Sequence, residues 1–494
     1  MTSSTLSHLH AVVVGSGITG LATARVLSDR GARVTILERD AEPDADDPAS
    51  AFATWQRKGA PQVRHSHAFL GRLRKLLREK YPDILDGLLA VGAAELDMLA
   101  RPPLTLPPLT PEPGDADLVA LGCRRTTFEW VVRRNVLPRP GLTLLGGAQM
   151  RGLVAAAGSP PAVTGVRFER DGAEHVLDAD LVVDASGRHS KAPEWLAAIG
   201  AGAPPEELEQ SGVVYYTRFY RFRPGAVEPP RTRHPAAADY NWVKYAIFPA
   251  DGGTFSITFA IPLAFPRLKV LSKTAAFDVM TQELPALKPW VDPSVSEPIG
   301  DLEHPVQAMG GLINRLRRFV VDGRPLATGF VVLGDAAYCT NPLYGRGCAQ
   351  AFLHADLLGE ALDAHPTDLA AAAGALDAAA RANIEPFYRA SVLADREAVR
   401  KAEGRAPRRW TGRLRARYFD DGVAVATRCD PVVFRAFVRM FNMLETPEQA
   451  FGSPRVLWRS LKVMLRGTRR NQPYQLPPPP DQETTIARCE AAVA

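Results

Sequence analysis

This chain has little cysteine. Cys123, Cys339, Cys348, Cys429 and Cys489 are scattered, with no C-x-x-C pair. That excludes a disulfide framework and a zinc-type spacing, and it suits a reducing compartment. A charge excess is also lacking: 59 basic residues face 54 acidic ones, for a net charge of +5. So small an excess does not mark a nucleic-acid surface, and no nucleic-acid partner is expected. Lysine is scarce beside arginine, a habit of composition rather than a functional signal. No apolar run approaches the ~18 residues needed to cross a bilayer, so no transmembrane segment is expected. Met1 to His10 is polar and carries no signal-peptide core. The expectation is a soluble, cytoplasmic protein. No internal repeat is found. What remains is ordinary: 46% hydrophobic and 23% charged residues over 494 positions, enough for two or three domains with large cores.

The informative stretch is AVVVGSGITG, residues 11–20, read together with Glu38. An apolar run, Ala11 to Val14, breaks into Gly15, Gly17 and Gly20 at G-x-G-x-x-G spacing. Gly15 suits the tight turn out of a strand, Gly17 a close approach to a pyrophosphate, and Gly20 the packing of the next helix. Ser16, Ile18 and Thr19 complete the loop. The helix start offers free N–H groups and a positive dipole end to phosphate. A second strand, Arg33 to Leu37, ends on Glu38. An acid there, 18 residues past Gly20, sits where a ribose hydroxyl is bound, with Arg39 next to it.

Further along, 41–51 is an acidic surface loop. Residues 55–70, WQRKGAPQVRHSHAFL, crowd Arg57, Lys58, Gln62, Arg64, His65 and His67 around Gly59 and Pro61. Leu70 to Leu89 has helical apolar spacing. Pro102 to Pro113 is an extended connection. Residues 123–134 form a helix entered through Arg124 or Arg125. Strands follow at Leu142–Leu145, Val163–Glu169 and Leu181–Asp184. Val213–Phe222 alternates as a sheet strand, and 242–248 with 254–261 makes a hairpin across Asp251-Gly252-Gly253. Phe330–Leu333 is another buried strand, followed by a long helix from about Gly345. The rest is helical, with an Arg-rich patch at 405–417 and a tail opened by Pro477–Pro480.

With these pieces placed, the chain resembles the FAD-dependent monooxygenases of the glutathione-reductase-type FAD fold. That superfamily holds aromatic hydroxylases, squalene-epoxidase-like enzymes, polyether epoxidases and halogenases. Three motifs carry the resemblance: GSGITG with Glu38, LVVDASGRHSKAPEWLAAIG (181–200), and GDAAYCTNPLYGRG (334–347). The resemblance implies that Asp335 bonds the ribityl chain of FAD. Pro342 to Gly347, with Gly345 among them, then lies beside the isoalloxazine. The helix start there would stabilise negative charge near flavin N1 and O2. It also implies that Gln62 and His65 lie near the flavin, that Arg125 points at the cofactor, and that the backbone of Met150 meets the adenine.

The fold expected is α/β: a Rossmann-like FAD-binding domain (9–204 and 326–364), a mixed-sheet substrate domain (205–325), a C-terminal helical region (365–470) and a mobile tail (471–494). Tyr216, Arg218, Trp242 and Phe248 are the expected substrate contacts, chosen as sheet residues of the domain that covers the flavin in the family. The family's chemistry is carried by a flavin C4a-(hydro)peroxide, so no catalytic acid or base is assigned. His65 and His67 share one face if extended, but no further ligand lies near in sequence, and no metal is expected. Ser186-Gly187 stands where aromatic hydroxylases carry Asp-Gly. Electrons from NAD(P)H therefore arrive either directly or through a separate flavin reductase. The substrate expected is a large lipophilic molecule, hydroxylated or epoxidised with molecular oxygen. The competing readings are a reductase of the geranylgeranyl-reductase type, a halogenase (although NWVKYAIFP lacks a Trp-rich motif), and a flavin-binding protein without turnover.

Overall fold

The computed structural model describes residues 5–41, 45–55, 57, 61–300, 304–407 and 409–494. Lys58, Gly59, part of the acidic loop (42–44) and Arg408 of the Arg-rich patch lie outside these residues.

A five-stranded parallel sheet organises the first half. Its order is Phe330–Val332, Leu181–Asp184, His10–Val14, Arg33–Glu38, Leu142–Gly146. The three central strands are buried almost throughout, which is why they read as continuous apolar runs rather than as alternation. The helices Ile18–Ser28 and Gly347–Ala364 pack together on this sheet. A Cβ on Gly359 would come within 2.5 Å of Val26, so that position must stay small.

A second, antiparallel sheet runs in the order Ala237–Asp239, Lys244–Pro249, Thr254–Pro262, Val213–Phe222, Ser296–Pro298, with Gln307–Met309 also against Val213–Phe222. Its outer face is covered by Thr274–Glu283, whose Phe277 and Met280 are buried with Phe255 and Phe259. A three-stranded sheet, Glu206–Gln210, Ile313–Arg317, Tyr338–Cys339, ties this half to the GDAAYC loop. A third antiparallel sheet is made of Gln149–Ala156, Ala162–Arg170 and Ala173–Asp178.

Two expectations change. The stretch 70–89 is two helices, Gly71–Lys80 and Pro82–Ala90. Pro82 has no N–H and starts the second at its first turn. The tail is not a loose end. Asp481 caps the helix Gln482–Ala491 by accepting from Thr484 N at 2.8 Å. Ile486 and Cys489 of this helix insert into the core under the antiparallel sheet. Arg267 grips Glu483 and Glu490 at 2.7 Å. The four prolines set the connector, but the apolar pair beyond them decides where the chain docks.

Candidate functional site

The strand His10–Val14 ends at Gly15, whose φ of +98° suits glycine and whose N–H donates to Leu37 O at 2.7 Å. A Cβ there would also meet Ala185 O at 2.9 Å. Gly17 differs: it has ordinary φ, and a Cβ built on it meets nothing within 4 Å. Protein atoms leave that side open. The helix that follows has no side-chain cap and no acid in its first turn. Its leading N–H groups are therefore available to an anion.

Glu38 accepts from Ser16 N at 3.0 Å and Ser16 Oγ at 2.6 Å, while its other oxygen takes Asp40 N at 3.0 Å. Arg57 lies 3.3 Å from Glu38 and 3.3 Å from Glu129, and Glu129 also pairs with Arg125 at 2.9 Å. Arg133 stands 3.9 Å from Glu129 and donates to Ser16 O and Oγ. Burial alone would raise the Glu38 carboxyl; Arg57 and the Ser16 bonds outweigh it and hold it below the usual range. Glu129 follows the same rule: burial opposes, and the arginines win. Three guanidiniums, Arg57, Arg125 and Arg133, thus gather around Glu38 and Glu129, with Asp40 acting on Arg57 as well. Arg57 Nε and Nη1 are buried with no hydrogen-bond partner among the described residues. Arg57 and Arg125 line the cavity beside the open helix start, where N–H groups and guanidiniums suit a pyrophosphate.

The GDAAYCTNPLYGRG loop forms the far end. Burial pushes the Asp335 carboxyl up to about 6, against the pull of Arg188, Arg315 and Arg125. Asn341 receives Leu343 N at 3.2 Å and the hydroxyl of Tyr215, and it donates to Asp395 at 2.9 Å. Asn314 and Tyr344 bond the same Asp395 at 2.7 and 2.9 Å. This buried knot pins the loop to the helix Glu385–Ala402. Gly347 opens the helix Gly347–Ala364 with no acid in its first turn.

Both ends line one cavity of about 810 Å³. Of the residues expected at a cofactor, Gly15, Gly17, Ile18, Thr19, Glu38, Arg39, Gln62, His65, Arg125, Met150, Asp335, Pro342, Gly345 and Gly347 all line it. Ser16 and Gly20 do not. Ser16 is fully buried behind the loop, holding Glu38, and a Cβ on Gly20 would run into Gly15.

The substrate contacts need correction. Phe248 lines the cavity, but Tyr216, Arg218 and Trp242 do not. Tyr216 and Trp242 belong to the core beneath the sheet, and Arg218 pairs with Asp278 on the covering helix. Side chains alternate along Val213–Phe222, and the cavity takes the other parity, Tyr215 and Thr217. The void is faced by Tyr215 and Phe248 together with the small hydroxyl residues Thr217 and Thr258. His65 Nδ1 lies 3.1 Å from Thr217 Oγ1; Thr217 meets Thr258 at 2.7 Å, Thr258 meets Ser66 at 2.7 Å, and Ser66 meets Ser256 at 2.6 Å. Burial lowers His65 to about 4 and, with Arg125 adding to it, His67 to about 3, so both rings are neutral near pH 7.

Glu129, Arg133, Thr258 and Asp395 were not singled out by the sequence. Glu129 and Arg133 had a readable signal, since they recur at i+4 and i+8 from Arg125 on one helix face. Asp395 had none, because its partners come from two distant segments, the strand of Asn314 and the loop of Asn341 and Tyr344. Cys339 and Cys348 line the cavity too, and burial raises both thiols. His65 and His67 form no metal set: among the described residues no three His, Cys, Asp or Glu gather as ligands.

Comparison with known proteins fits this geometry. A family model described as FAD dependent oxidoreductase matches residues 10–112. The chain is 28% identical over 492 residues to Protein Rv3254 of Mycobacterium tuberculosis, covering 94% of this chain and 96% of that one. It is 24% identical over 484 residues to a kynurenine 3-monooxygenase of Xanthomonas euvesicatoria pv. vesicatoria, covering 92% and 95%. Among solved structures, the flavin-dependent brominase Bmp2 superposes with a TM-score of 0.57 at 14% identity, covering 92% of this chain and 99% of that one. OxyS anhydrotetracycline hydroxylase from Streptomyces rimosus gives 0.53 at 18%, covering 89% and 76%. At such identities the structural likeness speaks for the fold. No helix among the described residues is long and apolar enough to cross a membrane.

Proposed function

We propose that this chain, an FAD-dependent enzyme of the flavin monooxygenase superfamily, inserts one atom of molecular oxygen into a large apolar molecule by hydroxylation or epoxidation. The observation that carries the proposal is the continuity of the cavity. The glycine loop, the start of helix Gly347–Ala364 and the inner face of the antiparallel sheet all open onto one void.

In this reading residues 9–204 and 326–364 hold FAD, 205–325 cover it, and 365–470 buttress the flavin-side loop. Gly15 to Thr19, Glu38, Arg39 and Met150 take the ADP half, with the Arg57 and Arg125 guanidiniums beside them. Asp335, Pro342, Gly345 and Gly347 take the ribityl and flavin half, with Gln62 and His65 near the ring. When bound, FAD supplies the redox chemistry and the activation of oxygen. The chain's own residues orient, exclude water and hold protons. Leu96, Met98, Ile247, Phe248, Met309 and Leu312 give the sheet side an apolar lining, which favours a lipophilic substrate over an ionic one. His65, neutral and tied through Nδ1 to the Thr217–Thr258–Ser66–Ser256 hydroxyls, is held in place at the cavity wall as a hydrogen-bonding group.

Electrons come from NAD(P)H, directly or through a separate flavin reductase. The test has two steps. FAD is titrated into the purified protein, which is then reduced with NAD(P)H, alone and with a flavin reductase, and supplied with isotopically labelled oxygen and a panel of lipophilic alkenes and aromatics. One labelled oxygen in a product supports the reading. A substrate reduced without oxygen overturns it in favour of the reductase reading. Failure to bind FAD overturns the site itself.

A further inference from the structure

The helix Pro454–Asn471 turns the wrong side outward for a helix on a polar surface. Val456, Ser460, Val463 and Met464 are buried. They pack on the segment Tyr418–Val423, where a Cβ on Gly422 would stand 3.0 Å from Ser460 O. The opposite side carries Trp458, Leu461 and Leu465 at i, i+3 and i+7, with Leu457 beside them. Trp458 is 64% exposed and Leu465 69%. A helix packed on one side ordinarily puts polar residues there.

A basic row flanks this apolar stripe. Arg455, Arg459, Lys462 and Arg466 recur at i, i+4, i+7 and i+11, and Arg469 and Arg470 follow the break at Gly467. The helix contains no acidic residue. Arg459 pairs with Asp430; among the described residues no ion pair reaches Arg455, Lys462, Arg466, Arg469 or Arg470. A second helix, Trp410–Arg417, runs directly into the same Tyr418–Val423 segment. It repeats the pattern: Trp410 is 72% exposed and Leu414 51%, among Arg409, Arg413, Arg415 and Arg417.

We propose that these two helices are a docking surface for an anionic lipid bilayer. Exposed Trp and Leu beside rows of Arg and Lys match what lies flat in a headgroup region: the apolar stripe enters the acyl boundary, Trp sits at the interface, and the basic row meets anionic headgroups. A second copy of the chain fits less well, because a two-fold contact would set one arginine row against its own copy. The surface stands apart from the cavity, so its function does not depend on the chemistry proposed there.

The experiment is co-sedimentation of the full chain, loaded with FAD, with vesicles of phosphatidylcholine alone and of phosphatidylcholine mixed with phosphatidylglycerol. Binding to the mixed vesicles alone, weakening as salt rises, is the expected result. The double variant Trp458→Ser/Leu465→Ser should lower partitioning about tenfold or more while keeping its FAD content and melting temperature. Arg455→Ser/Lys462→Ser should lose the preference for anionic lipid. No binding to either vesicle overturns the proposal, as does binding that both variants leave unchanged. Concentration-dependent self-association that Trp458→Ser abolishes overturns it in favour of a contact between copies. Saturable binding of a purified acidic protein with no vesicle binding also overturns it.

Discussion

A Cβ on Gly20 would stand 1.8 Å from the carbonyl oxygen of Gly15. Gly20 is therefore required by the protein itself, whereas the open side of Gly17 is required only by what enters the cavity. Gly20→Ala should cost about 2 kcal/mol or more of stability. Gly17→Val should leave the apoprotein melt within about 2 °C of the parent yet weaken FAD binding roughly tenfold or more. Melting curves and FAD titrations separate the two. Full FAD affinity in Gly17→Val would remove Gly17 from the site.

Arg57 stands between two buried carboxylates. Arg57→Met leaves Glu38 and Glu129 short of a partner and should cost about 3–5 kcal/mol. Adding Glu129→Gln should deepen that loss, because the buried Arg125 and Arg133 then lose their carboxylate as well. Urea unfolding of the three proteins checks the point; an unchanged Arg57→Met protein contradicts the coupling.

Asp335 and His354 give opposite pH dependences. Burial alone lowers His354 to about 3, and its Nδ1 accepts Gly334 N–H at 3.1 Å. The unfolded ring takes a proton near 6.5 and the folded ring does not. Stability therefore falls as pH drops from about 6.5 toward 3, by roughly 1.4 kcal/mol per pH unit for this group. His65 and His67 add to the same trend. Asp335 is raised to about 6. Its unfolded form ionises first as pH rises through about 3.8, so stability falls between about 4 and 6 and stays lowered at neutrality by up to about 3 kcal/mol. Asp335→Asn should thus stabilise the apoprotein at pH 7 while weakening FAD. A destabilised Asp335→Asn apoprotein would contradict the sign.

Thr217 and Arg218 are neighbours on opposite faces of one strand. Thr217→Val cuts the hydroxyl chain at His65 and should lower kcat about tenfold with little change in melting temperature. Arg218→Ala should lower stability and leave substrate preference alone, since Arg218 meets Asp278 and not the cavity. A shift of substrate preference in Arg218→Ala at unchanged stability would reverse the assigned faces.

Ile486 anchors the last helix under the antiparallel sheet. Ile486→Ala should cost about 2–4 kcal/mol, measured by urea unfolding. A neutral result would mean that the helix does not stay docked in solution.

What could be read from the sequence follows the range of the interactions involved. The parallel strands were legible because burial on both faces writes unbroken apolar runs such as Ala11–Val14 and Leu181–Val183. The glycine loop was legible because its geometry demands one residue type at fixed spacing. The facing of Val213–Phe222 was not, because its residues are apolar or aromatic on both faces and only the partner strand's Thr258 and Ala260 show which side is lined. The docking of residues 482–491 depends on a core assembled from residues 216–306, far back along the chain. The Asp395 knot joins four separate stretches, so no local pattern announces it.

At the tip of the hairpin Lys244–Pro249/Thr254–Pro262, Asp251 is buried and accepts from Arg124 N at 2.7 Å, from the Arg124 guanidinium and from Thr127 Oγ1 at 2.8 Å. One carboxylate thus rivets the antiparallel sheet to the first turn of the helix that carries Arg125, Glu129 and Arg133. The inward residues of the strands can be exchanged for new side chains, but the rivet must travel with any graft. A recombined sheet lacking Asp251 would leave Arg124 buried and unpaired, and would shift Arg125 along with it. Diversity in what the cavity accepts is therefore free to accumulate along the strands and is held fixed at their turn.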